Sequence, residues 1–406
     1  MTHAPDEDLL RAHAPQVLAA LLRRYGAGQL DVCEDAVQEA LLAAHRQWPR
    51  DGRPDDPFAW LLTSARRRMI DRIRSDHHRR DRELAYAELW QPLADASTVH
   101  ADESIWLLRL CCHPALSRTA QVTLTLRAVA GLTTAQIAHA YLLPEATIAQ
   151  RISRAKAGIR SAGTNFPPPL GPGDRLDQVL DVIYVMFTEG HTSSSGTDPS
   201  DIRLSDEAIR LGRLVHEVQP DHVETAGLLS LMILTDARRA ARTDARGALI
   251  PLDEQDRSLW NRDAITEATS ILDESLTRGT PGPYAIQAAI AALHDEAPST
   301  ETTDWPQILA LYRLLDYTTQ NPVATLNGAV AEAMVHGPEA GLSTIDALVD
   351  LGRITDRKRI AAVRAHLLER AGRTAEAIEE YRDAAQRTLS IPERDYLTAR
   401  ARRLES

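Results

Sequence analysis

The chain has 406 residues, 44% of them apolar and 25% charged, which is typical of a globular protein with two to four domains. Its formal net charge of −11 argues at first sight against a nucleic-acid partner. The first 160 residues, however, hold 21 basic and 19 acidic side chains, and the remainder holds 25 and 38. The excess of acidic side chains therefore lies in the C-terminal part, and the net charge does not exclude DNA binding by the N-terminal part.

Membrane spans and disulfide frameworks are not expected. No apolar run reaches the ~18 residues of a membrane span and no signal peptide is evident, so we expect a cytoplasmic protein without a membrane partner. Three cysteines, Cys33, Cys111 and Cys112, lack the spacing of a zinc site. The run Cys111-Cys112-His113 could supply a metal or redox site, but buried helix packing is the favoured interpretation. We therefore expect no metal and no cofactor.

Helix-forming residues and few β-branched runs predict an all-α protein. In chain order, we predict a helical domain at 9–84 with a Pro/Gly/Asp-rich loop at 48–57, and a connector at 85–101. A second helical domain at 102–161 and a Pro/Gly linker at 162–174 follow. Residues 175–406 then form a helical extension.

The first informative helix covers residues 31–48. Its apolar face is formed by Val32, Ala36, Val37, Ala40, Leu41 and Ala44. The opposite face carries Asp35, Gln38, Glu39 and Leu42. A leucine with charged neighbours suits a protein-binding surface, which has an apolar centre and a polar rim. The alternative is a solvated helix face with one stray leucine.

The second helix, residues 58–74, pairs an apolar face with a basic one. The apolar face consists of Phe58, Leu61, Leu62, Ala65, Met69 and Ile73. The candidate DNA-binding residues are Trp60, Arg66, Arg67 and Arg74. An indole among guanidinium groups suits single-stranded nucleic acid, because the ring stacks on bases and the cations pair with phosphates. The alternative is that Trp60 packs against a neighbouring domain and the arginines are solvated.

A helix-turn-helix is predicted at residues 133–160. Threonine N-cap candidates open a helix at 133–140, Pro144 breaks it, and a second helix covers 145–160. Its inward residues are Ile148, Ile152, Ala155 and Ile159. Its candidate DNA contacts are Thr147, Gln150, Arg151, Ser153, Arg154 and Lys156. Glutamine can bind adenine bidentately and arginine can bind guanine, while Arg151, Lys156 and Arg160 are placed for phosphates.

Small residues recur near the C-terminus. Gly328, Ala340 and Ala347 reappear, 37 residues later, as Ala365, Ala377 and Ala384. Small side chains let antiparallel helices approach closely, so this spacing predicts tetratricopeptide-like hairpins. An ordinary pair of α-hairpins is the alternative.

These segments resemble a known family. Residues 35–39 (Asp-Ala-Val-Gln-Glu) resemble the D-x-x-Q-E segment of sigma region 2, and residues 60–71 resemble the helix W-L-x-x-x-A-R-N-x-x-I-D that follows it. Residues 126–159 are similar to sigma region 4. The segment between these regions in larger sigma factors is absent, so the chain resembles the extracytoplasmic-function (ECF) class of the sigma-70 family. Part of the extension is similar to the extension of one sigma subgroup, which ends in tetratricopeptide-like helices. The similar segments are residues 184–190, 254–260, 282–284, 287–292, 303–305 and 326–331.

The resemblance implies roles for the candidate residues. Asp35, Gln38, Glu39 and Leu42 would bind the β′ clamp helices of core RNA polymerase, and region 4 would contact the β flap. The 48–57 loop and the 58–74 helix would capture the melted −10 promoter element, and the 145–160 helix would read the −35 element. The extension would tune activity by binding a protein or ligand regulator. Arg67 stands where the family often has Asn, which leaves the −10 base preference undecided.

Two other function classes were considered. A helix-turn-helix regulator with a helical-repeat sensor would bind duplex DNA without polymerase. An enzyme could use Glu189, His191 and His294, but no catalytic motif accompanies these residues. We therefore predict a non-enzymatic protein.

Overall fold

A computed structural model of the chain describes residues 5–77, 100–141, 143–162, 176–191, 195–196 and 202–405. Two compact units divide the chain, unit 1 (Met1–Val182) and unit 2 (Ile183–Ser406). The prediction of an all-α protein is confirmed, since one pair of two-residue strands is the only sheet in the described ranges. Over the same ranges no helix is long and apolar enough to cross a membrane. The predicted connector (85–101) and linker (162–174) lie almost entirely outside the described residues, and the predicted domain boundaries stay predictions.

Unit 1 is built around its first helix. The segment 17–22 of this helix is buried on all sides, as expected of a helix that its neighbours surround. It contacts the second, third and fourth helices. The elements of unit 1 are α1 (Pro5–Tyr25), a 3-10 turn (Ala27–Gln29), α2 (Leu30–Asp51), α3 (Pro57–His77), α4 (His100–Cys111), α5 (Arg118–Ala128), α6 (Thr134–Ala140), α7 (Glu145–Ser161) and the first part of α8 (Leu176–His191).

The predicted apolar faces of α2 and α3 face this core. On α2 the buried residues include Ala36, Val37, Ala40 and Ala44. On α3 they include Phe58, Leu61, Leu62, Ala65 and Met69. Val32 and Leu41 are half-buried, and the side chain of Ile73 lies outside the described residues. The helical periodicity therefore predicted both core faces correctly.

The predicted loop at 48–57 is shorter than expected. Helix α2 continues through Pro49 to Asp51, and only residues 52–56 separate it from α3. Trp48 is buried and its ring lies edge-on to Trp60, with 5.6 Å between centroids. The helix ends at Gly52, whose φ of 84° is readily adopted by glycine. Trp48, which the prediction placed at the start of the loop, thus lies inside the helix.

The described residues of unit 2 form ten further α-helices, three short 3-10 turns and the strand pair. Strands β1 (Ser195–Gly196) and β2 (Leu389–Ser390) pair in parallel, Ser195 with Leu389 and Gly196 with Ser390. The helices are α9 (Ile202–Val218), α10 (Val223–Ala237), α11 (Arg262–Leu276), α12 (Pro283–Glu296), α13 (Trp305–Thr319), α14 (Pro322–His336), α15 (Pro338–Asp350), α16 (Arg357–Arg370), α17 (Thr374–Arg387) and α18 (Ile391–Glu405).

Helices α10 and α12 approach each other very closely. A Cβ on Gly227 would lie 2.5 Å from the backbone nitrogen of Ala285. At the same crossing, the Glu224 carboxylate accepts hydrogen bonds from the N–H groups of Tyr284 (2.8 Å) and Ala285 (3.0 Å). These donors have no partner within α12, so Glu224 caps the helix from a neighbouring element.

The small-residue repeat is present, but its predicted register is wrong by one residue. Ala347 is exposed and Ala340 is only half-buried. The close contact between α14 and α15 lies instead at Gly341, where an added Cβ would meet the Ala329 carbonyl oxygen at 2.4 Å. Buried positions of the two hairpins recur at a spacing of 36 residues: Ala329 and Ala365, Gly341 and Ala377, Ile345 and Tyr381, Leu348 and Ala384.

The segment between α10 and α11, residues 238–261 (the connector loop), is anchored on both sides. Arg257 Nη1 donates to the carbonyl oxygen of His294 at 2.7 Å, at the end of α12. Glu254 pairs with Arg400 of α18, which also contacts Glu369 at 2.9 Å. The loop therefore packs within the helical unit, which the sequence analysis did not predict.

Candidate functional site

The four residues predicted to bind polymerase lie together on the surface of α2. Asp35, Gln38, Glu39 and Leu42 are all exposed, and Leu42 keeps 55% of its surface accessible. Their spacing of three or four residues makes them neighbours on one helix face. The Glu39 carboxylate lies 3.4 Å from Arg68 of α3, with both side chains half exposed, so this pair contributes little stability. The surface has the apolar centre and polar rim typical of a protein interface.

On α3, the candidate DNA-binding residues differ in their exposure. Trp60 is half-buried against Trp48, so the expectation of an outward-facing indole holds only in part. Arg67 is exposed and Arg66 is half-buried. Arg74 belongs to α3, but its side chain lies outside the described residues.

The helix-turn-helix elements form as the sequence predicted. Thr133 and Gln136 make a reciprocal capping box at the start of α6, with bonds of 3.1 Å and 2.8 Å to each other's backbone N–H groups. In α7 the four predicted inward residues are buried: Ile148, Ile152, Ala155 and Ile159. Thr147, Gln150, Ser153 and Arg154 are exposed, while Arg151 is half-buried.

Lys156 does not lie on this exposed face. Its Nζ is 2.5 Å from Glu34 Oε2 and 2.9 Å from Asp31 Oδ1, both on α2. Arg160 also pairs with Asp31. The Lys156 side chain is only 12% exposed, so in this arrangement it contacts α2 and is not available to a phosphate. Burial lowers the pKa of Lys156, but the two carboxylates raise it more, and the ammonium stays charged.

These ion pairs adjoin the candidate polymerase surface. One face of α2 carries, at helical spacing, Asp31, Asp35, Gln38 and Leu42. The C-terminal part of α7 therefore contacts the N-terminal end of the face that holds the candidate polymerase residues. We call the contacts among Asp31, Glu34, Lys156 and Arg160 the α2–α7 clasp. The sequence carried a signal for it, because Lys156 lies four residues after the buried Ile152 and therefore at the edge of the inward stripe.

The residues considered for an enzyme or a metal site are dispersed or buried. His191 and His294 line two different cavities of unit 2. Burial raises the pKa of Cys112 to about 12, which disfavours the thiolate needed for metal or redox chemistry. Cys111 is also buried, as the packing interpretation predicts. Among the described residues, no group of three potential metal ligands is present.

Comparison with known proteins begins with region 2. Residues 9–79, which include α2 and α3, match the family model "Sigma-70 region 2". These residues are similar to sigma-70 region 2. Residues 175–276 match a "Family of unknown function (DUF6596)", which covers the first part of the extension.

Two curated ECF sigma factors are similar to about a third of the chain. The ECF RNA polymerase sigma factor SigK of Mycobacterium ulcerans (strain Agy99) is 29% identical over 133 residues, which are 32% of this chain and 70% of that protein. SigK of Mycobacterium sp. (strain KMS) is 32% identical over 133 residues, which are 31% and 66%. Both alignments are longer than the region 2 match. They support an ECF-like sigma factor.

A third relative covers most of the chain. An uncharacterized protein of Rhizobium meliloti (strain 1021) is 41% identical over 388 residues, which are 93% of this chain and 89% of that protein. The chain belongs to the same family as this protein. No solved structure matches the chain.

Proposed function

We propose that this protein is a sigma factor that binds core RNA polymerase and directs promoter recognition and transcription initiation. The observation that carries the proposal is the exposed α2 surface of Asp35, Gln38, Glu39 and Leu42, which lies within the sigma-70 region 2 match. We assign this surface to the β′ clamp helices and propose a second contact between region 4 and the β flap.

Two surfaces would then read the promoter. We assign the −10 element to α3, through Trp60, Arg66, Arg67 and Arg74. The −35 element is assigned to α7, through Thr147, Gln150, Arg151, Ser153, Arg154 and Lys156. Such a protein performs no covalent chemistry: it stabilises the melted strand because it binds single-stranded DNA more tightly than duplex. Two weak DNA-binding modules on one polymerase gain specificity through their effective concentration.

In this proposal the clasped arrangement belongs to the free chain and differs from the promoter-bound one. Lys156 is held by Glu34 and Asp31, at the end of the surface that would receive polymerase. Polymerase binding to α2 would compete with α7 for this face and release Lys156 for a DNA phosphate. This competition would explain why the chain binds its promoter only when it is bound to core polymerase.

The extension, in this proposal, tunes sigma activity by binding a protein or ligand regulator. Its support is the packed stack of helical hairpins with tetratricopeptide-like spacing in unit 2. Deleting everything after Pro172 should change promoter-specific transcription. Unchanged transcription under every condition tested would exclude a required role for the extension.

The test of the sigma assignment is run-off transcription with core RNA polymerase, the purified chain and the promoter region of its own operon. We expect transcripts that require the chain and disappear with the double change Asp35→Ala and Glu39→Ala. A matched control, Asp350→Ala with Glu379→Ala, removes the same charge from exposed positions of the extension and should retain activity. Duplex DNA binding by a chain that does not associate with core polymerase would instead indicate a helix-turn-helix regulator.

A further inference from the structure

Unit 2 contains a cavity of about 260 Å³ that the proposed promoter reading does not use. Its walls come from the connector loop and from α12, α13, α14 and α16. Three of the segments by which the extension resembles a sigma subgroup contribute to it: 254–260 through Arg257, 303–305 through Trp305, and 326–331 through Asn327, Val330 and Ala331. Segments that are distant in the sequence thus meet at one partly open cavity.

One side of the cavity is aromatic and held in place. The Trp305 Nε1 donates to the Thr300 carbonyl oxygen at 3.0 Å, and its ring lies edge-on to His294 at 5.2 Å. Tyr312 lies on the same helix as Trp305 and packs closely on α14, where a Cβ on Gly328 would be 3.1 Å from the Tyr312 Cβ. Fixed aromatic rings beside apolar side chains favour a flat, apolar ligand body.

Excess positive charge lies beside the cavity, at the end of α12, where Arg257 and His294 line it. Three arginines converge on the end of α12: Arg238 contacts Asp295 Oδ1 at 2.8 Å, Arg262 donates to the Asp295 carbonyl oxygen at 2.9 Å, and Arg257 donates to that of His294. Asp295, which is fully buried, is one carboxylate among three guanidinium groups. Burial, together with Arg238 and Arg257, lowers the pKa of His294 to about 4, so this ring is neutral near pH 7.

The part of the lining that comes from α16 carries a cation that can bind an anion. Arg370 of α16 is exposed, lines the cavity and forms no ion pair within the described part of the chain. Its planar guanidinium can hold a carboxylate through two parallel hydrogen bonds. Asp253 is the single acidic residue of the lining, so the cations around the cavity outnumber it.

We propose that this cavity binds a small aromatic monocarboxylate, with its ring beside Trp305 and Tyr312 and its carboxylate on Arg370. A volume of about 260 Å³ lies just below the ~300–1,000 Å³ of pockets for drug-sized ligands, which favours a ligand of one ring or one fused ring pair. The regulatory consequence of binding rests on the proposed sigma function, but the binding itself does not.

The experiment is calorimetric titration of the full chain, without polymerase or DNA, with benzoate, phenylacetate and indole-3-acetate. Each acid is compared with its neutral amide. We expect at least one acid to bind at one site per chain and its amide to bind tenfold or more weakly. Arg370→Gln should weaken the acid about tenfold, because it removes the charge-assisted hydrogen bonds. The control Arg402→Gln makes the same change at an exposed position of α18 outside the cavity and should bind normally.

The proposal is overturned if no acid binds, if acid and amide bind equally, or if the Arg370 and Arg402 variants behave alike. A hexaglutamate peptide provides a further arm. If it binds with dependence on Arg370 while none of the aromatic acids does, the cavity belongs to an acidic peptide. Because polymerase is absent from the titration, a failure to bind aromatic acids would leave the sigma assignment intact. Loss of the sigma assignment would likewise leave the binding result intact.

Discussion

Glu34 and Lys156 form the most buried ion pair between α2 and α7. Their side chains are 11% and 12% exposed at a separation of 2.5 Å. Removing one partner of a buried pair leaves the other charge poorly compensated and costs about 3–5 kcal/mol when burial is complete. The cost falls on the clasped state alone, because the released side chains are solvated.

Glu34→Gln should therefore weaken the α2–α7 clasp in the free chain, although Asp31 still pairs with Lys156 and Arg160. We expect tighter binding to a duplex of the mapped −35 element in the absence of polymerase, by several-fold, measured by fluorescence anisotropy. Glu39→Gln is the matched control, since it makes the same charge change on an exposed position of the same helix. Equal affinities of the two variants would contradict a role of the clasp in masking α7.

His191 makes the stability of the protein depend on pH. It is buried and stacked on Phe187, and burial, with the charges of Arg242, Arg238 and Arg239, lowers its pKa from 6.5 to about 2. The unfolded chain therefore binds this proton more readily than the folded chain. Below pH 6.5 the free energy of unfolding should fall by about 1.4 kcal/mol per pH unit from this group.

His191→Gln should reduce the fall in the free energy of unfolding as the pH is lowered. Urea denaturation between pH 7 and pH 5 measures this dependence. Asp295 acts in the opposite direction, because burial raises its pKa to about 6, so the comparison is between variant and parent at each pH. His336→Gln, an exposed histidine of α14, is the control. A slope identical to that of the parent would show that His191 is solvated in the folded protein.

At the scale of the helices, Gly227 fixes the distance between α10 and α12. A methyl group at this position would meet the backbone of Ala285, which cannot move aside as a flexible side chain can. Gly227→Ala should therefore destabilise the protein, by about 1–3 kcal/mol for an overpacked core, even though alanine favours helix.

Thermal or urea unfolding monitored by circular dichroism would measure this loss. Ser230→Ala is the matched control on α10, one turn away. Its hydroxyl is buried and has no hydrogen-bond partner within the described structure, so its removal should leave stability unchanged or increase it. Equal stability of the two variants would show that α10 and α12 are not in close contact.

The helical spacing of apolar residues predicted the helices and their core faces. This was possible because the apolar stripe that a helix buries can be identified from the sequence of that helix alone. The buried stripes of α2, α3 and α7 were assigned correctly for this reason. The end of α2 was not, since the helix continues past Pro49 to Asp51. The repeat was misplaced by one residue because both alanines of α15, Ala340 and Ala347, lie beside its buried face, and only packing distinguishes the buried Gly341 from the half-buried Ala340.

The candidate site was predicted unevenly for the same reason. The exposure of Leu42 follows from its position on the wheel of α2, and the structure confirms it. The clasp joins residues that lie more than a hundred positions apart, such as Asp31 and Arg160. The sequence therefore placed Lys156 at the edge of the inward stripe of α7 but did not indicate its partners on α2. The polymerase and promoter roles themselves stay predictions.

At the scale of the whole molecule, charge is divided between a near-neutral N-terminal part and an acidic extension. The extension after Pro172 repels the phosphate backbone at low ionic strength. Deleting it should raise the affinity of the chain for random duplex DNA, and the gain should shrink towards zero at about 0.5 M salt. Electrophoretic mobility shifts across a salt series would measure this effect, and a gain that persists at high salt would point to a masked contact surface instead.

The pairing of β1 with β2 has a consequence for how this architecture can change over evolution. An open stack of helical hairpins can gain a copy at its end, because the last hairpin touches only one neighbour. Here the strand that follows α17 pairs with the strand that follows α8, and α18 also holds the connector loop through Arg400 and Glu254. A duplicated hairpin would pull these partners apart. We therefore expect relatives to keep the number of helices in this unit and to vary in the lengths of its loops.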